Sequence, residues 1–195
     1  MLAQTGNHPI SFQEYLELEA RSEEKHEYHQ GEIFPMAGAS LNHNQIIGQL
    51  YMSLYHCLQQ QKQGKVFMND VKLHIENLDK ATYPDLMVFM QAIEYADKKH
   101  SVVSNPSLII EVLSQSTADY DHGAKFSAYR SLPGFQEYLL VDQYQIRLEH
   151  YVKTAPHEWI FREYSQPDAE IQLVCLDCKL NPASIYCNME FEPPG

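Results

Sequence analysis

Residues 83–90 read YPDLMVFM, a proline and an acid leading into five apolar residues, and residues 107–114, SLIIEVLS, repeat the pattern around a single acid. Short, nearly unbroken apolar runs of this length belong to strands covered on both faces, as in a sheet with helices packed on it. The two runs therefore predict central strands. Each holds one carboxyl, Asp85 or Glu111, where a charge is costly to bury.

Toward the N-terminus, SFQEYLELEA (11–20) offers Ser11 as a helix cap and spaces Phe12, Tyr15, Leu16 and Leu18 for a short amphipathic helix lying on a sheet. HEYHQGEIFPMAG (26–38) predicts a hairpin turning at Gln30-Gly31, where glycine accepts the positive φ of a tight turn. From Asn42 to about Gln61, Ile46, Ile47, Leu50, Leu54 and Leu58 recur at helical spacing, with Gly64 just beyond as a stop. KVFMNDVKLHIE (65–76) reads as one or two alternating strands. Beyond a polar connection near 97–106, STADYDHGAKFSAYRSL (116–132) predicts a helix capped by Ser116 or Thr117. FQEYLLVD (135–142) is a further strand, QIRLEHYVK and EWIFREYS form a hairpin around Ala155-Pro156, and 166–195 reads as a small strand and an irregular tail. The order predicts an α/β or α+β domain with a central mixed sheet and flanking helices.

A chain of 195 residues, 44% hydrophobic, is long enough for one domain with a real core, so a single domain over 1–195 is expected. The opening residues lack a secretory pattern and no run approaches a membrane span, which predicts a soluble, cytoplasmic protein with no membrane partner. A net charge of −12 argues against a general nucleic-acid coat protein, although screening leaves room for a local basic groove. Walker, Rossmann and G-x-S-x-G signatures do not occur.

The chemistry rests on the two lone acids, 26 positions apart, and on Lys125 in the following helix. Two carboxylates brought to about 4 Å repel by roughly 4 kcal/mol at an effective dielectric near 20, so a cation between them relieves a large penalty. Oxygen-rich sites of this kind suit Mg²⁺ or Mn²⁺. Such an ion activates water and neutralises phosphoryl charge, and a nearby lysine supports the transition state, which together point to phosphodiester hydrolysis.

YPDLMVF, LIIEVLSQST and DHGAKFSAYRSLPGFQEYLLVD, preceded by HEYHQGEIFPMAGASLNHNQI, occur in an order and spacing that resembles the Uma-type restriction endonucleases, a branch of the PD-(D/E)XK nuclease superfamily. The likeness covers roughly residues 10–165. It implies a restriction-endonuclease-like core, a divalent-metal site with Asp85 and Glu111 as ligands, and a DNA substrate. The superfamily lysine should stand two places after the second acid, where this chain has Leu113; Lys125 is the substitute from the next helix. The resemblance also places Glu27 and His43 near the metal cleft, Glu27 to bind a water or second metal and His43 to orient a carboxylate or touch phosphate. Restriction-like enzymes often pair two sites to cut both strands, so a homodimer is implied. The alternatives are a catalytically inactive nucleic-acid or protein-binding descendant of this fold, and a hydrolase of another phosphoester.

Each assignment has a structural rival. Asp85 can cap a turn, Glu111 can face solvent from an edge strand, and Lys125 can pair with Asp121 on a solvated helix face. The cysteines at 57, 175, 178 and 187 invite a zinc reading through CLDC, but alternation along IQLVCLDCKL as one strand sends its two thiols to opposite faces, so free thiols are expected.

Overall fold

The computed structural model describes residues 8–36 and 38–191. The start of the chain and its last four residues, part of the expected tail, lie outside that description, as does Ala37. Among the described residues, no helix is long and apolar enough to cross a membrane.

The two buried runs are neighbours. Strand β6 (Leu86–Phe89) pairs antiparallel with β8 (Leu108–Leu113), and β8 pairs parallel with β9 (Glu137–Asp142). With β3 (Lys65–Met68), β10 (Leu148–Ala155) and β11 (Glu158–Tyr164) they form a six-stranded mixed sheet in the order β11-β10-β9-β8-β6-β3. A parallel pair needs a crossover, and the helical stretch 118–129 supplies it.

A second sheet has the order β2-β1-β5-β4-β7, built from β1 (His26–His29), β2 (Glu32–Pro35), β4 (Lys72–Ile75), β5 (Lys80–Thr82) and β7 (Val102–Val103). KVFMNDVKLHIE is thus two strands, one in each sheet. The β1–β2 turn falls at Gln30 and Gly31, both at positive φ as the hairpin reading requires.

Helix α1 (Phe12–Glu19) starts at Ser11, whose hydroxyl accepts from the Glu14 backbone N–H while the Glu14 carboxylate reaches back in a capping box. Its Tyr15 packs on Tyr28 and Ala81 of the second sheet. Helix α2 (Leu41–Gln61) buries the stripe Ile46, Ile47, Leu50, Leu54 and Leu58 on one face of the large sheet. It ends on Lys62 in the left-handed region, two residues before the expected Gly64 stop. The opposite sheet face packs against the 118–129 stretch and the second sheet, through Leu73, Ile75, Met87, Phe89, Ile109 and Tyr129.

The region after 165 is more ordered than a small strand with an irregular tail. IQLVCLDCKL folds as a hairpin, β12 (Ile171–Leu173) and β13 (Cys178–Leu180), followed by α5 (Pro182–Ile185). Its turn places Asp177 at positive φ, so CLDC is a bend rather than an alternating strand. The bend aims Cys178 into the core beneath α2, where it forms a disulfide with Cys57, correcting the expectation of free thiols at these two positions. Cys175 and Cys187 remain free.

Candidate active site

The ladder between β6 and β8 closes at the Leu86–Ile110 pair. One step beyond, Asp85 and Glu111 face each other, and each carboxylate replaces a missing ladder bond. Asp85 N donates to Glu111 Oε2 at 3.3 Å, and Val112 N donates to Asp85 Oδ2 at 2.8 Å. The local reason is Pro84, which cannot donate to a ladder and so ends the strand there.

Glu111 lies on the same sheet face as Ile109 and Leu113, toward the crossover helix, and is fully buried. This removes the solvent-facing rival. Its Oε1 accepts from Tyr129 Oη at 2.7 Å and from Lys125 Nζ at 3.1 Å. Lys125 Nζ also sits 2.8 Å from Asp121 Oδ1, a charge contact without a well-directed hydrogen bond. The expected Asp121–Lys125 pair therefore exists, but it is buried rather than solvated, and it shares the ammonium with Glu111.

These side chains reach one place because α3 (Ala118–Tyr120) and α4 (Phe126–Tyr129) are joined by a π-helical turn, Asp121–Lys125. Widened turns of this kind recur at functional sites, since they re-aim side chains within a continuous helix. Neither expected cap acts: Thr117 occupies the N-cap position with no side-chain cap bond.

Burial pushes the Glu111 carboxyl up, to about 8, with Asp85 and Asp121 adding repulsion while Lys125 and Tyr129 oppose it. Burial also disfavours the Lys125 ammonium, yet Glu111 and Asp121 outweigh it and hold the pKa well above that of ordinary lysine. The lysine is cationic and its distance from Glu111 makes it a partner of the acid pair.

His43 enters from the first turn of α2, where Ser40 Oγ caps the His43 backbone N–H at 3.1 Å. Its Nε2 lies 3.3 Å from Asp85 Oδ2, while its buried Nδ1 has no partner. Glu27 on β1 accepts from Tyr120 Oη at 2.8 Å and lines the same cleft. The cleft encloses about 1350 Å³ and is lined by all five sequence-nominated residues, Glu27, His43, Asp85, Glu111 and Lys125. Its rim is acidic: Glu23 and Glu24 line it, and the rim lysine, Lys25, is paired with Asp70. A local basic groove is not found there.

Sequence reasoning missed Tyr129, Tyr120 and Lys80. Tyr129 had a signal, since Asp121, Lys125 and Tyr129 recur every four residues and so share a helix face. Lys80 Nζ lies 4.7 Å above the Tyr120 ring, a contact across two elements that no local spacing reveals.

As a metal site, the pair of acids offers the half-buried Asp85 carboxylate and the buried Glu111 carboxylate within the cleft. Among the described residues no group of three or more His, Cys, Asp or Glu side chains forms a ready-made cage. Two carboxylates with the remaining positions left to water and substrate is the arrangement magnesium favours, so the donor set fits a hard divalent ion. Zinc fits poorly, because the disulfide removes Cys57 and Cys178 as thiolates.

A family model described as "Uma2: Putative restriction endonuclease" matches residues 12–183. The chain belongs to this family. The Uma2 match runs past residue 165 to take in the β12–β13 hairpin. Two Synechocystis sp. proteins are similar along most of their length: sll1609 is 42% identical over 159 residues, covering 82% of this chain and 89% of its own. The second, slr1290, is 34% identical over 195 residues, covering 98% and 100%. A crystal structure from Anabaena variabilis, described as "a putative nuclease belonging to DUF820", superposes with a TM-score of 0.72 at 19% identity, covering 91% of this chain and 98% of that one. At that identity the likeness bears on the fold, which is the mixed-sheet nuclease fold expected from the sequence.

Proposed function

We propose that this Uma2 protein is a divalent-metal-dependent endonuclease that hydrolyses DNA phosphodiester bonds. The observation that carries the reading is the convergence of Asp85 and Glu111 where β6 and β8 part, with a buried lysine on the second acid and an open cleft before them. Asp85 and Glu111 would hold Mg²⁺ or Mn²⁺. When bound, the ion supplies an activated water and neutralises phosphoryl charge.

The chain's own residues do the rest. Val112 N and His43 Nε2 both hold Asp85 through its Oδ2, and Tyr129 fixes Glu111. Lys125 brings a permanent positive charge to the floor of the cleft to stabilise the attacked phosphate. Glu27, held by Tyr120 in the same cleft, orients water. We further propose a homodimer, so that two such sites cut the two strands of a duplex.

The acidic rim favours a second reading, in which the fold binds a partner without cutting it. Plasmid DNA incubated with the protein and Mg²⁺ or Mn²⁺ separates the two. Cleavage is expected with metal, is abolished by chelation, and falls at least about 100-fold in folded Asp85→Ala and Lys125→Ala variants. Retention of DNA with no cutting under any metal supports the binding module and sinks the nuclease. Turnover of a small phosphodiester alone makes the site a hydrolase of another ester.

A further inference from the structure

The position of Lys125 bears on how many ions the site takes. Two-metal phosphodiesterases place their ions about 3.5–4 Å apart, bridged by a shared carboxylate. Here the carboxylate able to bridge is Glu111, with Asp85 on one side and Asp121 on the other. The Asp85 side opens to the cleft. The Asp121 side is already filled by an ammonium, 3.1 Å from Glu111 Oε1 and 2.8 Å from Asp121 Oδ1.

We propose that the site takes up one divalent ion and not two, because the Lys125 ammonium, positioned by Asp121, occupies the gap a second ion would need. This rests on the metal-dependent reading of the same site.

Two observations support it. Lys125 and Asp121 are both largely buried at the cleft floor, so a second ion would have to pull the ammonium away from two carboxylates and break a buried ion pair at heavy cost. The local charge also closes with one ion. Asp85, Glu111, Asp121 and Glu27 formally face two lysines, Lys125 and Lys80, the latter 4% exposed and held over the Tyr120 ring that donates to Glu27. With Glu111 ionised by a bound cation, the two unmatched negative charges equal one divalent cation, and a second would leave the cluster positive.

Mn²⁺ binding to the full chain, followed by calorimetry and by electron paramagnetic resonance, tests the count without any turnover. Wild type is expected to bind one Mn²⁺ per chain with the spectrum of an isolated ion. Lys125→Ala opens the gap and is expected to bind two, returning to one in Lys125→Ala/Asp121→Asn. Two ions on wild type, or one on a folded Lys125→Ala, overturns the proposal. Should Lys125→Ala not fold, the wild-type spectrum decides alone, since two ions that close give a magnetically coupled signal. Absence of any Mn²⁺ uptake instead overturns the metal-dependent reading itself, whereas two coupled ions leave that reading intact.

Discussion

Tyr129 is the residue on which the geometry of the second acid turns. Its hydroxyl donates to Glu111 Oε1 at 2.7 Å, and Thr82 Oγ1 lies 3.2 Å from the same hydroxyl, so the phenol is tied to both the acid and the second sheet. Burial and the adjacent Glu111 raise its pKa well above that of a free phenol, so it stays a donor at any working pH. Tyr129→Phe keeps the packing against Phe135 and Tyr138 but leaves a buried carboxylate one hydrogen bond short. Bonds to charged groups are worth about 1.5–3 kcal/mol, and denaturant unfolding above pH 8, where Glu111 is ionised, is expected to register a loss in that range. No change in the midpoint would mean that Lys125 and the Asp85 N–H suffice to hold Glu111.

At the scale of elements, the π-helical turn is pinned to the sheet by His122, which projects outward between Asp121 and the strand β10. Its Nδ1 lies 2.7 Å from Ala118 O and its Nε2 3.0 Å from Glu149 Oε2, and serving both acceptors requires a proton on each nitrogen. Partial burial opposes the charge, but the Ala118 carbonyl and the Glu149 carboxylate outweigh it and raise the pKa, with Asp121 adding to the effect. A raised folded-state pKa means stability fully present below the unfolded value, about 6.5, and lost as pH rises through the folded one. The gap in Tm between wild type and His122→Gln is therefore expected to be wide at acid pH and to shrink as pH rises above neutrality; a gap constant across that range would exclude the linkage. Elements such as α2 and the β1–β2 hairpin were legible in the sequence, because Ile46, Leu50 and Leu54 carry a helical period and Gly31 a turn requirement. The site residues were legible as lone acids in apolar runs. Their register was not: nothing local to Asp85 says that it will oppose Glu111, since that follows from the Leu86–Ile110 pairing. The π turn and the CLDC bend were hidden for a related reason. Each depends on tertiary packing overriding a local pattern that fits α-helix or strand equally well, with Asp177 in the bend taking positive φ without glycine.

Across the whole molecule, the large sheet is shared property of two cores. Along β8, Leu108, Ile110 and Val112 enter the core under α2, while Ile109 and Leu113 enter the opposite one, and β6 and β9 alternate in the same way. Neither core survives loss of the sheet, so we propose that the described residues unfold as one unit, in keeping with a single domain. The chain's one tryptophan allows a direct test. Trp159 packs with Phe126 and Phe135 on the face away from α2, whereas Leu50 lies at the centre of the α2 stripe and is fully buried. Leu50→Ala opens a cavity in the first core and is expected to cost about 2–5 kcal/mol. If the sheet couples the cores, Trp159 fluorescence and far-ultraviolet circular dichroism will report the same lowered midpoint, although the tryptophan touches none of the altered packing. A fluorescence transition left at its wild-type position while the helical signal moves would show two units melting separately. The acid pair between β6 and β8 would then be held by only one of them.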